Sequence, residues 1–168
     1  MIVVEERLTE LFAQLPEIQI NPTNLNKPFF SWGKKEELNR YVEKTEENVL
    51  YPLIWQLPTE ESYNRLSELT ETKLILIVAT RETRGELYNP QRWEGSFKQV
   101  LNPLAEYIIQ ALENGSTTRI IDIDDISIFK EPNYSDNSEN GVIDKWDAIR
   151  LECNVEFNDN CLKTIKWK

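Results

Sequence analysis

The sequence predicts an α+β fold, a single domain built on a mostly antiparallel four-stranded sheet packed on one side by helices. Three observations carry that reading. Ile149, Leu151, Cys153, Val155 and Phe157 alternate with Arg150, Glu152, Asn154 and Glu156, the period-two pattern of a half-buried antiparallel strand. Residues 73–80 (KLILIVAT) form a nearly continuous apolar run, the mark of a strand buried on both faces. Phe97, Val100, Leu101, Leu104, Ile108 and Leu112 fall on one helical stripe.

The elements follow in chain order. Leu8, Leu11, Phe12 and Leu15 predict a short helix, which Pro16 stops. Residues 21–31 hold Pro22 and Pro28 among asparagines and read as an irregular link. Residues 34–44 are charged, with Leu38, Tyr41 and Val42 on one side, and predict a helical turn or two. VLYPLIWQL (49–57) predicts a strand, with Pro52 marking an edge or a bulge. The polar stretch 58–72 ends that strand and separates it from its partner at 73–80.

Residues 81–96 read as a charged connection, and 97–112 as the main helix. Pro103 either kinks that helix, or Asn102 caps a second one with proline at its first position. Asn114-Gly115 is a helix stop. Residues 118–130 (TRIIDIDDISIFK) predict a third strand, and 148–157 the fourth. The stretch between them, 131–146, is too long for a tight hairpin and reads as a mobile tip or an arm. The expected organisation is an N-terminal helical extension (1–47), an α+β core (48–163) and a short tail (164–168).

Composition narrows the function. The chain has 168 residues, a formal charge of −10 and a pI near 4.6, a balance that repels duplex DNA and anionic membranes alike. The N-terminus carries acid where a signal peptide needs base, and the longest apolar run is too short to span a bilayer. The protein is therefore expected to be soluble, made in a cytoplasm, and to keep Cys153 and Cys161 as free thiols. With no histidine in the sequence, Ser–His and Cys–His nucleophile systems are excluded. No phosphate cradle is present, because Gly33-Lys34-Lys35 lacks the preceding glycine of a P-loop.

Two kinds of constellation remain. Asp122 and Asp124, in IIDIDD, would share one face of a strand and offer oxygen ligands to a divalent cation; the plainer reading is a strand edge kept polar against aggregation. Of the five tryptophans, Trp55 reads as core, while Trp32, Trp93, Trp146 and Trp167 lie outside regular elements, where aromatic anchors of interfaces are often found. Arg81, Arg84 and Arg92 cluster after the buried strand, facing either a neighbouring copy or the chain's own Glu82, Glu86 or Glu94. The candidate interface is Arg81, Arg84, Tyr88, Arg92, Trp93, Tyr134 and Trp146. No catalytic residue, metal ligand or cofactor is assigned.

Three stretches together carry a resemblance: YPLIWQLP…LILIVATRE, NPQRWEGSFKQVLNPLAEYIIQAL and IDKWDAIRLECNVEFNDNCLK. Their layout resembles the tail-terminator and neck proteins of phages of Bacteroides-like hosts, from about residue 49 to 163. The resemblance implies a non-enzymatic virion protein, assembled in a bacterial cytoplasm into a homo-oligomeric ring at the head–tail joint. Its partners would be portal, connector or tail proteins, with DNA passing through unbound and no membrane involved. Residues 1–47 would dock on an adjoining ring. The alternatives are a small metal-dependent enzyme using Asp122 and Asp124, and a protein-binding adaptor.

Overall fold

The computed structural model describes residues 2–21, 23–43, 51–81, 89–132, 146–158 and 164–167. It opens with α1 (Val4–Phe12), whose Val4, Leu8, Leu11 and Phe12 are buried. A small hairpin follows, β1 (Ile18–Asn21) on β2 (Asn24–Asn26). Next come β3 (Phe29–Trp32), α2 (Lys35–Glu43), β4 (Leu53–Gln56), β5 (Glu61–Asn64) and β6 (Leu69–Arg81). A continuous helical stretch runs through α3 (Asn89–Arg92), a π-helical segment (Trp93–Leu101) and α4 (Asn102–Asn114). The chain ends on β7 (Thr118–Ile120), a 3-10 turn (Ile123–Asp125), β8 (Ser127–Glu131) and β9 (Trp146–Phe157).

The strands from β3 onward make one mixed sheet of seven. Its spine is β6 against β9, antiparallel and in register from Thr70↔Phe157 to Arg81↔Trp146. Two short strands line each flank. β4 and β5 pair with successive halves of β6, and β7 and β8 with successive halves of β9. β3 then pairs with β4 in parallel. The expected four-stranded, mostly antiparallel sheet is thus too small. The polar stretch 58–72 forms the β5–β6 hairpin, turned by Asn64, whose Oδ1 accepts from the Leu66 amide at 2.9 Å. The link at 21–31 supplies two strands, and α2 carries the chain between parallel β3 and β4.

Helices also cover both faces rather than one. On one face Leu74, Leu76, Val78, Ile149, Leu151, Cys153, Val155 and Phe157 pack beneath α1, the π segment and α4. On the other, Leu53, Trp55, Ile77, Ala79, Trp146 and Ala148 pack beneath Leu38 of α2, with Tyr41 against them. This explains the unbroken KLILIVAT run, since both its odd and even residues meet apolar neighbours. Each such side chain contributes about 1.5–3 kcal/mol on burial.

The N-terminal segment belongs to this core. Leu8 and Leu11 are fully buried in it, and Phe12 meets Phe30 edge-to-face at 5.1 Å. The last residues dock as well. Ile165 is buried, its N–H donates to Gln14 Oε1 at 2.9 Å, and Trp167 meets the Tyr107 ring at 5.5 Å. An N-terminal extension free to dock elsewhere would strip one face of the sheet.

Pro103 is accommodated in a third way. The Asn102 N–H reaches back five residues to the Phe97 carbonyl, and backbone angles remain helical through Leu101 and Asn102. Proline lacks an N–H and its ring crowds the carbonyl four residues back; widening the preceding turns to π geometry relieves both constraints without a kink.

Gly33 joins β3 to α2 with φ of +148°. A Cβ there would lie 3.0 Å from the Trp55 ring and 2.5 Å from Glu37 Oε2, and Trp55 Nε1 donates to the Gly33 carbonyl at 2.9 Å. Gly33→Ala is therefore expected to lower stability by at least about 1 kcal/mol. Urea unfolding followed by tryptophan fluorescence measures the change.

Candidate interface surfaces

Four of the sequence-selected interface residues are described, and they gather at one end of the β6–β9 ladder. Arg81 ends β6, exposed, directly across from Trp146. Arg84, Tyr88 and Tyr134 lie outside the described residues, as does Cys161.

Two of the four point inward. Trp146 is buried in the core beneath α2, so it is a packing residue and not a partner anchor. Arg92 is buried too, and its Nη1 lies 3.3 Å from Oδ1 of the fully buried Asp147. This pair answers the choice left open by the sequence: Arg92 is matched within its own chain, by an acid none of the local glutamates supplied. α3 brings the guanidinium over the sheet, and β9 places Asp147 opposite Thr80. Such a pair is held by the desolvation cost of separating it more than by its net attraction.

Trp93 is half exposed at the start of the π segment. Its ring sits 5.7 Å from that of Phe97, and Lys130 Nζ of β8 lies 4.0 Å above it. On the opposite face of β8, the Arg150 guanidinium lies 4.6 Å over Phe129. The two cations thus lie over one ring on each side of β8, an edge strand on which no further described strand pairs.

The acidic group does not share a strand face. The expected third strand breaks at residues 121–126, where Asp122 accepts from the Asp124 N–H at 3.1 Å and starts the 3-10 turn. Asp125 accepts from Asn154 Nδ2 at 3.4 Å. Among the described residues no three acids, cysteines or histidines converge as a metal site would require. Cys153 is a buried free thiol, which burial pushes up to about 12, well away from a reactive thiolate.

Around the break in the strand several large apolar side chains stand exposed. Ile121 and Ile123 are exposed, Ile128 is 47% exposed and Phe129 43%. At the opposite edge of the sheet Trp32 is 49% exposed, and Leu25 of the separate β1–β2 hairpin is 60% exposed. The sequence reading expected IIDIDDISI to form part of one continuous strand, with Asp122 and Asp124 on a shared face. The signal against it was local: Asp122 two residues before Asp124 is the spacing of a side-chain-capped turn.

An open depression of about 450 Å³ lies near β5, lined by Glu60, Glu61, Glu71 and Lys73 among others. It is predominantly acidic. Burial first, and the Glu5 carboxylate second, hold the Glu61 carboxyl above the ordinary glutamate value. Among the described residues no helix is long and apolar enough to cross a membrane.

Two measurements test this account. Asp147→Ala leaves Arg92 buried without its carboxylate and is expected to cost about 3–5 kcal/mol, while the double variant Arg92→Met/Asp147→Leu recovers most of the loss. Equilibrium unfolding of the three proteins shows whether it does. Glu61 binds its proton more tightly folded than unfolded, so its contribution is most favourable in acid and is lost as pH rises through the raised value. Glu61→Gln should therefore raise Tm near neutral pH and leave it unchanged below the ordinary glutamate range; equal melting of the two proteins at neutral pH would contradict the shift.

No family model matches the chain and no curated protein matches it, so the function rests on the surfaces described above.

Proposed function

We propose that this chain works by assembling with protein neighbours rather than by transforming a substrate, as a structural subunit of a ring at a phage head–tail joint. The observation that supports assembly most directly is a pair of sheet edges on which, among the described residues, no further strand pairs. β3 and β8 each end the sheet on their side, and both carry exposed large apolar side chains, Trp32 on one and Ile128 and Phe129 on the other. Monomeric sheet proteins usually cover or charge such edges, because an exposed apolar strand templates pairing with another chain. Edges of this kind are used in β-augmentation, where main-chain hydrogen bonds supply affinity and alternate side chains supply selectivity.

The phage setting is supported by the three-stretch resemblance and by charge. A chain carrying −10 lines a channel through which DNA slides without being held. The tail-terminator likeness belongs to this proposal at the level of an α+β sheet with flanking helices; here the sheet is wider and covered on both faces.

Electron microscopy of the full chain, alone and mixed with the head and tail proteins encoded beside it, tests the reading. Closed rings, or incorporation at the head–tail joint, are the expected result. A chain that stays solitary with every one of those proteins overturns it.

A further inference from the structure

Resting on the assembly reading, the geometry points to a specific contact: the β3 edge of one copy adds antiparallel to the β8 edge of the next, joining their sheets head to tail. Four observations converge on it.

The two edges lie on one row of the sheet. Following the registers across, Phe30 lines up with Ile54, Val78, Ile149 and Lys130. Trp32 lines up with Gln56, Leu76, Leu151 and Ile128. A second copy placed alongside in the same orientation therefore meets β8 with β3 at the same height, without stagger.

The directions agree. β3 is parallel to β4, β4 is antiparallel to β6, β6 to β9, and β9 to β8. β3 and β8 thus run oppositely, and neighbours related by a simple rotation about the strand direction pair them antiparallel.

The backbone groups match. Phe29 N–H donates to the Pro52 carbonyl and Gly33 N–H to that of Gln56, so Phe30 and Trp32 turn their amides to the outer side of β3. Ile121 N–H donates to the Asn154 carbonyl, so even-numbered residues of β9 bond toward β7 and β8. Ser127, Phe129 and Glu131 face Glu152, Arg150 and Ala148, which leaves the amides of Ile128 and Lys130 on the outer side. Two outward residues on each edge meet two on the other, and exposed Trp32 falls beside exposed Ile128.

Charge fixes the pairing. In a chain of net −10, residues 23–35 hold Lys27, Lys34 and Lys35 and no acid. Residues 122–131, around β8, hold Asp122, Asp124, Asp125 and Glu131 against Lys130, with Arg150 of β9 reaching over Phe129. Antiparallel addition brings Lys34 and Lys35, just after β3, toward Asp124 and Asp125, just before β8. It brings Lys27 toward Glu131. Parallel addition would lose this match. Glu36 and Glu37 follow on α2, where the Glu37 carboxylate accepts from the Lys34 N–H at 2.6 Å and is turned back on its own chain. A contact between two different patches closes into a ring or runs on as a filament, according to the rotation between copies.

Sedimentation velocity of the full chain over a concentration series, at low and high salt, tests this contact with two exposed charge-swap variants. One is Lys34→Glu/Lys35→Glu; the other is Asp124→Lys/Asp125→Lys. Wild type is expected to self-associate, less so in high salt. Each swap alone should weaken association by at least about tenfold, and mixing the two should restore it as an alternating complex. Thermal melts by circular dichroism confirm that both variants fold as wild type does. Self-association unaffected by either swap, or unrestored by mixing, overturns the edge pairing and leaves the assembly reading standing. Wild type that remains monomeric at every concentration also overturns the pairing, and the microscopy with head and tail proteins then decides separately whether that reading falls too.

Discussion

The paired central strands β6 and β9 position everything else. Each is long enough to serve two short neighbours on its free flank, and the two faces of the pair form the floors of the two apolar cores. Because strand side chains alternate with period two, a one-residue slip between them would send Ile149, Leu151 and Val155 to the wrong side. It would also carry Asp147 away from Thr80 and out of reach of Arg92. The register is therefore specified twice, by a long apolar pattern and by a charge that has one buried counterpart.

That dependence explains which parts of the fold could be read in the sequence. The strand at 149–157 was legible because one face is apolar and the other polar, as it is in the structure. The run at 73–80 was legible because it is apolar without interruption. Both describe the spine. The flanking strands are three to five residues long and take their order from pairing to that spine. Their own sequences, such as ESYN at β5, hold no pattern long enough to mark a strand. The N-terminal part was misread for a related reason. Its helix was correctly located by Leu8, Leu11 and Phe12, but periodicity states that a face is buried and not against what.

The interface residues divide along the same line. Sequence reasoning offered tryptophans and arginines outside regular elements as candidate interface residues, leaving open whether the arginines pair within the chain. Trp146 instead begins β9, and α2 covers it; Arg92 instead meets an acid 55 positions further along the chain. Neither contact has a local signature. The exposed apolar residues that were missed, Ile128 and Phe129 among them, sit where a predicted strand interior proves to be an edge. Burial depends on how many strands lie beyond a given one, and single-sequence periodicity carries no such count.

The edges also bear on why, among the described residues, apolar side chains of β3 and β8 stand exposed. Lys130 over Trp93 and Arg150 over Phe129 place a positive charge on each face of β8, the usual guard against unwanted pairing. The guard is selective. An incoming strand flanked by acids would be welcomed by those cations but repelled by Asp124 and Asp125. One flanked by lysines, with an aromatic partner for Ile128, meets the acids directly and displaces little. Within this chain, the segment around β3 has that composition, and it lies at the opposite end of the same row. On the proposed assembly reading, a sheet that ends in two unlike and mutually fitting edges can be repeated edge to edge.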